Sequence, residues 1–455
     1  MRIIIVGCGK MGLLLAERLI AEKHDVTLID RDEAVLEHAM DTLDALTIKG
    51  NGVSVATLQE ADIKHTDIVI ATTVSDETNM LCCLTSKLQG AKYTIARIRD
   101  PEYLTSLHFI TKELFINYVV NPERATAREI SRMLRLPFAA SIETFARGRV
   151  EMVEIRATGR EPFVEIPLKD LYKKHSSLPR VLFCAIERSG RAIIPKGDFI
   201  IHSGDKVFIA SDTPTISAFF KAMGKDTRGV HDAMIVGGSR IAYYLAQLLQ
   251  DSGVKTTIIE NKPHKARWLS EELKDATIIQ GDGTDQQLLL SEGLSDAQSF
   301  ITLTDRDEEN LMAGMYASRH TKGKVIVKSN RTSYSELLKD MGLESIISPT
   351  QIACNIVLRT VRARANADGT TVERMYSLIG GNAEALEFIP RAGASYLGIP
   401  LKNLKIHENV LVAVIVRSGH VLVPFGDDTI EADDHVVIIT KEMGIVDLGD
   451  VIGRE

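Results

Sequence analysis

The sequence lacks the features that mark secreted, membrane-spanning and zinc-binding proteins. Its five cysteines are an odd number and no two have CxxC spacing, which argues against a disulfide framework and a zinc site. No run approaches the ~18–20 consecutive apolar residues that cross a bilayer. The N-terminus passes directly into the apolar Ile3–Val6, unlike a signal peptide. We therefore expect a reduced, cytoplasmic protein.

Basic charge is also scarce. The 455 residues contain 54 Lys and Arg against 61 Asp and Glu, a formal net charge of −7. A nucleic-acid binder needs a Lys/Arg excess to neutralise phosphates, so we expect no nucleic-acid partner. The apolar fraction of 45% is typical of a soluble globular protein and is high enough to exclude disorder.

Signatures of several common enzymes are missing as well. The sequence contains no GxSxG, no GxxxxGK[ST] and no HExxH motif. The 12 histidines form no cluster with metal-ligand spacing. We therefore predict neither catalytic residues nor a metal site.

What is present is an internal repeat. Ile3–Gly12 reads IIIVGCGKMG, and Ala233–Ala242 reads AMIVGGSRIA. A second motif, Val181–Asp198, recurs as Val410–Asp427 with 9 of 18 positions identical. Two unrelated motifs that recur in order at nearly one offset indicate a tandem duplication, with a large and a small domain in each half.

The large domain alternates short apolar strands with helical stretches, which argues for a parallel sheet covered on both faces. The small domain has shorter apolar runs separated by turn signals, as in hairpins. We predict an α/β chain of two Rossmann-like parallel-sheet domains, each followed by a small α+β domain. The predicted bounds are 1–122 and 231–350 for the Rossmann-like domains, 138–226 and 368–453 for the small domains, and 121–137 and 351–365 for connector helices that act as hinges. Strands of the first large domain are predicted at Arg2–Val6, Val26–Ile29, Asp67–Ala71, Thr94–Ile98 and Phe115–Val119.

A glycine-rich turn follows the first predicted strand, and Asp30 follows the second. In a GxGxxG turn the first glycine permits the tight bend, the second lets the backbone approach a pyrophosphate, and the third lets the helix pack on the sheet. The helix N-terminus then faces the phosphates, and Asp30 is placed to bind a ribose diol. The predicted residues of the turn are Gly7, Cys8, Gly9, Lys10, Met11 and Gly12.

Polar residues follow the later strands at the same edge of the sheet. Asn51 lies in the third strand–helix turn, where an adenine edge would lie. Thr72 and Thr73 end the fourth strand and either bind the ligand or serve as turn and cap residues. Arg97 either reaches a phosphate or forms a salt bridge. Asp76 and the glutamate after it are better explained as charges at a helix N-terminus than as catalytic acids.

The equivalent turn in the second half keeps only its first glycine. Ser239 replaces the second glycine, and its side chain limits close approach to a pyrophosphate. Glu260 keeps the ribose-binding carboxylate, and Lys328 keeps the positive charge of Arg97. The sequence leaves open whether this site holds a nucleotide. Its predicted residues are Gly237, Gly238, Ser239, Arg240, Glu260, Asp282, Thr304 and Lys328.

The first connector helix carries a stripe of arginines at positions 124, 128, 132 and 135. Spacings of four, four and three place them on one face of a helix. This stripe is either a solvated face or a contact with an acidic partner or with lipid headgroups.

The chain contains a strand with a GxGxxG turn and an Asp, then the motifs GNG, SDETN and AR, and then a module with an RSG…PxGD pattern. This order of motifs resembles that of the TrkA family over the whole chain. TrkA proteins are cytosolic regulatory subunits of Trk-type bacterial potassium uptake systems, built from regulator-of-potassium-conductance (RCK) domains. The resemblance implies binding of NAD(H) and of ATP or ADP. It also implies a homo-oligomeric ring, dimeric or tetrameric, at the inner face of the cell membrane, which gates an integral-membrane potassium-translocating subunit. It adds Val74 to the ligand residues.

Two alternatives remain. An NAD-dependent dehydrogenase would pair its dinucleotide domain with a substrate domain that carries a base and an orienting cation. No acid/base pair stands out in either small domain, so we expect a protein that is not an enzyme. A structural scaffold with empty Rossmann sites is disfavoured by the intact first GxGxxG.

Overall fold

The fold was analysed in a computed structural model, which describes residues 1–330, 343, 345–365, 371–379, 382–445 and 447–454. Across these ranges, no helix combines the length and the apolar character needed to cross a membrane. The described residues form two parallel and two larger antiparallel sheets, with a short two-stranded pair.

The first large domain is a six-stranded parallel sheet. Its strands are β1 (Arg2–Val6), β2 (Asp25–Asp30), β3 (Leu46–Lys49), β4 (Ile68–Ala71), β5 (Tyr93–Arg97) and β6 (Tyr118–Val120). Their order, β3-β2-β1-β4-β5-β6, is that of a doubly wound dinucleotide-binding sheet. The direction of winding reverses between β1 and β4, so the carboxyl ends of these strands flank a crevice.

Helices cover both faces of this sheet. They are α1 (Lys10–Ala21), α2 (Glu33–Thr42), α3 (Val55–Glu60), α4 (Asp76–Leu88), α5 (Pro101–Leu104) and α6 (Leu107–Glu113). Central strands such as β4 are buried along their whole length because helices lie above and below them. Ser75 caps the N-terminus of α4, since its side chain accepts a hydrogen bond from the backbone N–H of Thr78 at 3.0 Å.

The connector helix α7 (Pro122–Arg135) leads into the first small domain. That domain contains β7 (Ser141–Phe145), β8 (Val150–Arg156), α8 (Leu168–Lys174), β9 (Leu182–Arg188), β10 (Arg191–Ile193), β11 (Lys206–Asp212) and α9 (Thr213–Ala222). The strands pair antiparallel in the order β10-β9-β11-β8-β7. Asp212 caps α9 by accepting from the backbone N–H of Thr215 at 2.7 Å.

The second half repeats this plan. Its parallel sheet contains β12 (Asp232–Val236), β13 (Lys255–Glu260), β14 (Thr277–Gln280), β15 (Ser299–Thr302), β16 (Lys324–Lys328) and β17 (Ser345–Ile347) in the order β14-β13-β12-β15-β16-β17. Its helices are α10 (Arg240–Asp251), α11 (Pro263–Glu272), α12 (Gln286–Ser291) and α13 (Asp307–His320). The equivalent strand order in both sheets confirms the duplication.

The second connector helix, α14, spans Pro349–Ala365. The second small domain contains β18 (Thr371–Leu378), β19 (Ala383–Ile389), β20 (Leu404–Ile406), β21 (Val410–Arg417), β22 (His420–Leu422), β23 (His435–Thr440) and β24 (Ile452–Arg454). Its main sheet has the order β18-β19-β23-β21-β22, and β20 pairs with β24. Short 3-10 turns occur at Ile63–His65, Ala146–Gly148, Leu294–Asp296, Leu401–Asn403 and Leu448–Asp450.

Each connector helix is buried against the large domain of the opposite half. Ile130 and Leu134 of α7 belong to the same core as Ile235 and Leu245 of the second large domain. Conversely, Val357 and its neighbours on α14 pack with β1 and α1 of the first large domain. The exchange means that neither half has a complete core alone. The predicted hinges are therefore interface elements, and rotation about α7 also has to displace the second large domain.

The two small domains also share a core. Phe145, Met152 and Phe208 of the first pack against Val414 and Ile439 of the second. A buried hydrogen bond crosses this contact: the backbone N–H of Ala146 donates to Glu387 at 2.9 Å.

The predicted α/β class with two Rossmann-like sheets and two small domains is confirmed. The strand predictions agree with the first sheet to within three residues. The omitted strand β3 is only four residues long, and its letters LTIK alternate instead of forming a continuous apolar run. The second connector begins at Pro349, two residues before the predicted start, because proline is favourable at the first helical position.

Candidate functional site

The glycine-rich turn after β1 lies at the carboxyl edge of the first sheet, and two of its glycines are required by the fold. Gly7 has φ +98°, and a Cβ there would lie 2.7 Å from the backbone N of Thr73. A Cβ at Gly12 would lie 2.0 Å from the carbonyl O of Gly7. Both glycines therefore allow the turn and α1 to pack against the end of β4.

Gly9 is different because the fold does not require it. A Cβ at Gly9 would have no described protein atom within 4 Å, and its φ of −68° is accessible to any residue. The space beside Gly9 opens into a cleft instead of into the core. A glycine here keeps the first N–H groups of α1 accessible to a phosphate group, which is what a pyrophosphate site needs. This turn therefore fits a nucleotide.

Asp30 at the end of β2 fixes the shape of the turn. Its Oδ2 accepts from the N–H of Cys8 at 2.6 Å and its Oδ1 accepts from the N–H of Asp32 at 3.0 Å. A carboxylate accepts about four hydrogen bonds, so acceptor capacity remains for a ribose diol. The Cys8 side chain is buried away from the cleft, and burial together with the Asp30 charge raises the pKa of its thiol to about 12. The thiol is therefore protonated at neutral pH.

The first cleft has a volume of about 600 Å³ and opens over Gly9 and Asp30. All the predicted residues of the first half except Cys8 and Gly12 line it: Gly7, Gly9, Lys10, Met11, Asp30, Asn51, Thr72, Thr73, Val74 and Arg97. Its opposite wall comes from the second half and consists of Ile241, Lys328, Asn330, Pro349 and Thr350. The first cleft is thus formed jointly by the two halves.

The rim at β4 and β5 is held by a buried asparagine. Asn79 accepts from the backbone N–H of Thr73 at 2.8 Å and donates to the carbonyl O of Arg97 at 2.9 Å. Asp76, also buried, accepts from the backbone N–H of Arg99 at 2.7 Å. These two residues of the SDETN motif tie neighbouring strand ends together. They therefore position the site and do not line the cleft themselves.

Arg97 has unused hydrogen-bonding capacity in the first cleft. Its Nη2 lies 3.9 Å from Oε1 of Glu123. The Nε of Arg97 and the Oε2 of Glu123 are both buried and have no hydrogen-bond partner among the described residues. Burial lowers the pKa of Arg97 and raises the pKa of Glu123. Buried polar atoms without partners are rare in proteins and mark a place where a ligand or water completes the bonding.

The second cleft, at the equivalent edge of the other parallel sheet, is smaller, at about 370 Å³. Six of the eight residues predicted for it line it: Gly237, Gly238, Ser239, Glu260, Asp282 and Thr304. Ser239 caps α10, since its Oγ accepts from the N–H of Ala242 at 3.4 Å. Its side chain stands where Gly9 leaves open space, so the approach to this helix N-terminus is narrower.

The two turns differ by a compensating pair of residues. Glu260 accepts from the N–H of Gly238 at 2.6 Å and from that of Lys262 at 2.7 Å, as Asp30 does with its own turn. A Cβ at Gly238 would lie 2.5 Å from Cδ1 of Leu269 and 2.8 Å from Oε2 of Glu260. The Leu269 side chain and the longer carboxylate of Glu260 therefore leave no room for a side chain at the position equivalent to Cys8.

Two residues predicted for the second cleft lie elsewhere. Lys328 lines the first cleft, where its Nζ donates to the carbonyl O of Thr304 at 2.6 Å, and burial lowers its pKa. Arg240 forms an ion pair across the halves with Asp100 at 2.8 Å. The repeat places Lys328 opposite Arg97 in sequence, but the packing of the halves turns both residues toward one cleft. No sequence spacing reveals Asn330 and Thr350 as wall residues, because the contact joins distant segments.

Comparison with known proteins agrees with this architecture. The TrkA-N domain model matches residues 3–122 and 233–349, and the TrkA-C domain model matches residues 152–224 and 386–451. The chain is 32% identical over 444 residues to the Trk system potassium uptake protein TrkA of Vibrio alginolyticus, covering 96% of this chain and 95% of the relative. It is 30% identical over 448 residues to the TrkA homolog 1 of Methanosarcina mazei, covering 97% of each.

Solved structures share the fold. The crystal structure of the GsuK RCK domain superposes with a TM-score of 0.63 at 16% identity, covering 96% of this chain and 92% of that one. A structure of the GsuK channel bound to NAD gives a TM-score of 0.63 at 16% identity and covers 96% of this chain and 76% of that one. A structure of GsuK bound to ADP gives a TM-score of 0.50 at 15% identity and covers 78% and 68%.

Proposed function

The chain belongs to the TrkA family of Trk system potassium uptake proteins, and on this premise we propose that it is a nucleotide-binding regulatory subunit. It binds NAD(H) and ATP or ADP and gates a membrane potassium-translocating subunit. The observation that carries the proposal is the first cleft, where an open phosphate-binding turn in one half faces a wall from the other half.

Nucleotide binding is supported by the residues themselves. Gly9 leaves a helix N-terminus open, Asp30 retains acceptor capacity, and Arg97 presents a buried nitrogen without a partner. The helix N-terminus suits the pyrophosphate of an adenine nucleotide, Asp30 suits the ribose, and Arg97 suits the terminal phosphate. The GsuK structures bound to NAD and to ADP support the same ligand class, since they share the tandem fold.

Regulation requires a ligand that distinguishes two conformations. The first cleft supplies this property because its walls move relative to each other whenever the two large domains do. A nucleotide held by Asp30 and Arg97 on one side, and approached by Lys328 on the other, favours one separation of the walls. A longer phosphate chain favours a different separation from a shorter one.

The remaining parts of the proposal concern assembly. The family name supports a potassium-translocating partner in the membrane, and we propose that the chain reaches the inner face of the cell membrane through that partner. We further propose that copies of the chain form a dimeric or tetrameric ring. A duplicated chain already contains a pair of packed halves, which suits a closed symmetric assembly.

A dehydrogenase is the second candidate. It shares the nucleotide site but needs a substrate domain with a base and an orienting cation. The names of the relatives, potassium uptake proteins that match the chain over nearly its whole length, favour the regulatory function.

Equilibrium binding of NADH, ATP and ADP to the purified chain, with turnover assayed in parallel, tests the proposal. Asp30→Ala should weaken binding to the first cleft about ten- to a hundredfold, since a hydrogen bond to a charged group contributes ~1.5–3 kcal/mol. Glu260→Ala is the matched variant for the second cleft. Affinity that both variants leave unchanged, or hydride transfer by the wild-type chain, would refute it.

A further inference from the structure

A third cavity, distinct from both nucleotide clefts, lies where α7 and α14 meet. It has a volume of about 410 Å³ and shares no lining residue with either cleft. Its walls come from α1 and β6 of the first large domain, β17 of the second, both connector helices, β7 of the first small domain and β18 of the second. This central cavity therefore touches all four domains.

Arginines dominate its lining. Arg18 on α1, Arg128 and Arg132 on α7 and Arg359 on α14 all face it, against two carboxylates, Glu129 and Glu143. The four arginines come from three helices that the fold brings together from distant parts of the sequence. The cavity is therefore strongly basic in a chain that is acidic overall.

Three of these four arginines lack a carboxylate partner among the residues that the structure describes. Arg132 pairs with Glu143 at 3.7 Å, and its buried Nε has no hydrogen-bond partner in the same part of the chain. For Arg18, Arg128 and Arg359, no ion pair within 4 Å is formed with any residue that the structure describes. Arg128 is exposed, and Arg18, Arg132 and Arg359 are half-buried. They contrast with Arg362 of α14, which is 1% exposed and is paired with Glu22 and Glu384.

The acidic residues do not cancel this charge. Burial, with a smaller contribution from the neighbouring carboxylate of Glu143, raises the pKa of Glu129 to about 8, against the opposing effect of Arg132. The raised pKa favours the neutral form of Glu129 and so reduces the negative charge that faces the four arginines.

We propose that the central cavity binds a small soluble molecule that bears phosphate groups. Guanidinium groups bind phosphate oxygens through paired N–H donors. Three arginines in one cavity that form no ion pair with a described residue match a multiply charged phosphate ester or pyrophosphate better than a monocarboxylate. The volume lies within the range of small-molecule pockets. Because its walls come from all four domains, occupancy would influence how they are arranged.

The test is a calorimetric titration of the full-length chain with inorganic pyrophosphate as the probe, which resolves classes of site by number and affinity. Wild-type protein should show a class of pyrophosphate site that belongs to the central cavity. In the double variant Arg128→Gln/Arg359→Gln this class should bind at least about tenfold more weakly, since two charge-assisted contacts are lost. Arg124→Gln, on the same helix but outside the cavity, is the matched control and should leave the affinity unchanged.

Two results would overturn the inference: no pyrophosphate bound by the wild-type chain, or the same number and affinity of sites in the double variant and in Arg124→Gln. Thermal unfolding of each variant checks that the fold is kept. If the double variant unfolds, Arg18→Gln replaces it and must show the same loss of affinity. If ATP does not bind at all, the nucleotide proposal fails, but loss of pyrophosphate binding specific to the cavity variants still supports the central cavity.

Discussion

The guanidinium of Arg362 on α14 forms a double hydrogen bond with the carboxylate of Glu22 at the end of α1, 340 residues away, at 2.5 and 3.0 Å. It also donates to Glu384 on β19 at 2.9 and 3.1 Å. Arg362 is 1% exposed, and this ion triad joins the first large domain, the second connector and the second small domain. The exchange of connector helices is thus fixed by charge as well as by apolar packing.

Removing Arg362 should strongly destabilise the chain. Arg362→Met leaves the buried carboxylate of Glu384 without its partner, and breaking a buried ion pair in this way costs ~3–5 kcal/mol. The midpoint of the first urea-unfolding transition measures the loss. Arg306→Met breaks the exposed pair with Glu309 and should cost less than ~1 kcal/mol. Equal losses in the two variants would show that the triad does not hold the domains together.

Placing serine at position 9 and glycine at position 239 should weaken nucleotide binding at the first cleft and strengthen it at the second. Gly9→Ser should leave thermal stability nearly unchanged, because its Cβ meets no described protein atom, but weaken nucleotide binding at the first cleft. Ser239→Gly should open the second turn at a cost of a few tenths of a kcal/mol for the lost cap. Calorimetric titration with ATP and NADH resolves the two classes of site. A large fall in stability for Gly9→Ser would contradict the view that this glycine serves the ligand.

A lysine of the second half should contribute to binding in the first. Lys328→Met should weaken ATP binding at the first cleft about tenfold, because a buried cation in its wall is lost. Lys265→Met removes a lysine that lines the second cleft and serves as the matched control. The two clefts are distinguished by repeating each titration in the Asp30→Ala background. If Lys328→Met weakens ATP binding only at the second cleft, Lys328 does not contribute to binding at the first cleft, and the wall from the second half has no part in holding the nucleotide there.

Stability should fall as pH rises through the titration of Glu129. The pKa of Glu129 in the folded chain, about 8, is above its value in the unfolded chain, so folding is coupled to the binding of a proton. The contribution of this proton to the free energy of unfolding is complete below about pH 4.5 and is lost as pH rises to 8. Glu129→Gln should abolish this slope and be more stable than wild type by ~1–3 kcal/mol at pH 8.5. Urea unfolding between pH 5 and 8.5 measures it, with the exposed Glu113→Gln as the control. Parallel curves for wild type and Glu129→Gln would rule out a perturbed Glu129.

The sequence predicts those features that depend on local pattern. The sequence predicts the continuous apolar strands, the turn around Gly7 and the two connector helices, because each depends on a pattern within about twenty residues. The repeat then predicted the second half from the first. Thr73 and Asp30 were also correctly placed at the strand edge, since parallel strands bring their carboxyl ends together.

Features that depend on packing between the halves were not predictable. Lys328 was assigned by the repeat to its own half, yet it lines the opposite cleft. The arginine stripe of α7 is partly a solvated face, since Arg124 and Arg128 are exposed, but Arg135 pairs with Glu151 at 2.5 Å. The position of Lys328 arises from the packing of the two halves, whereas the pair of Arg135 and Glu151 lies within the first half and joins residues 16 positions apart.

We propose that a nucleotide in the first cleft sets the arrangement of the two large domains. The most direct test is the distance between spin labels at Glu37→Cys on α2 and Arg267→Cys on α11, equivalent exposed positions in the two halves. The five natural cysteines are buried, so the introduced ones are labelled selectively. We predict that pulsed electron paramagnetic resonance gives different mean distances between the labels with ATP, ADP and NADH, and that Asp30→Ala abolishes these differences. A single distance in all three states would show that the nucleotide does not set this arrangement.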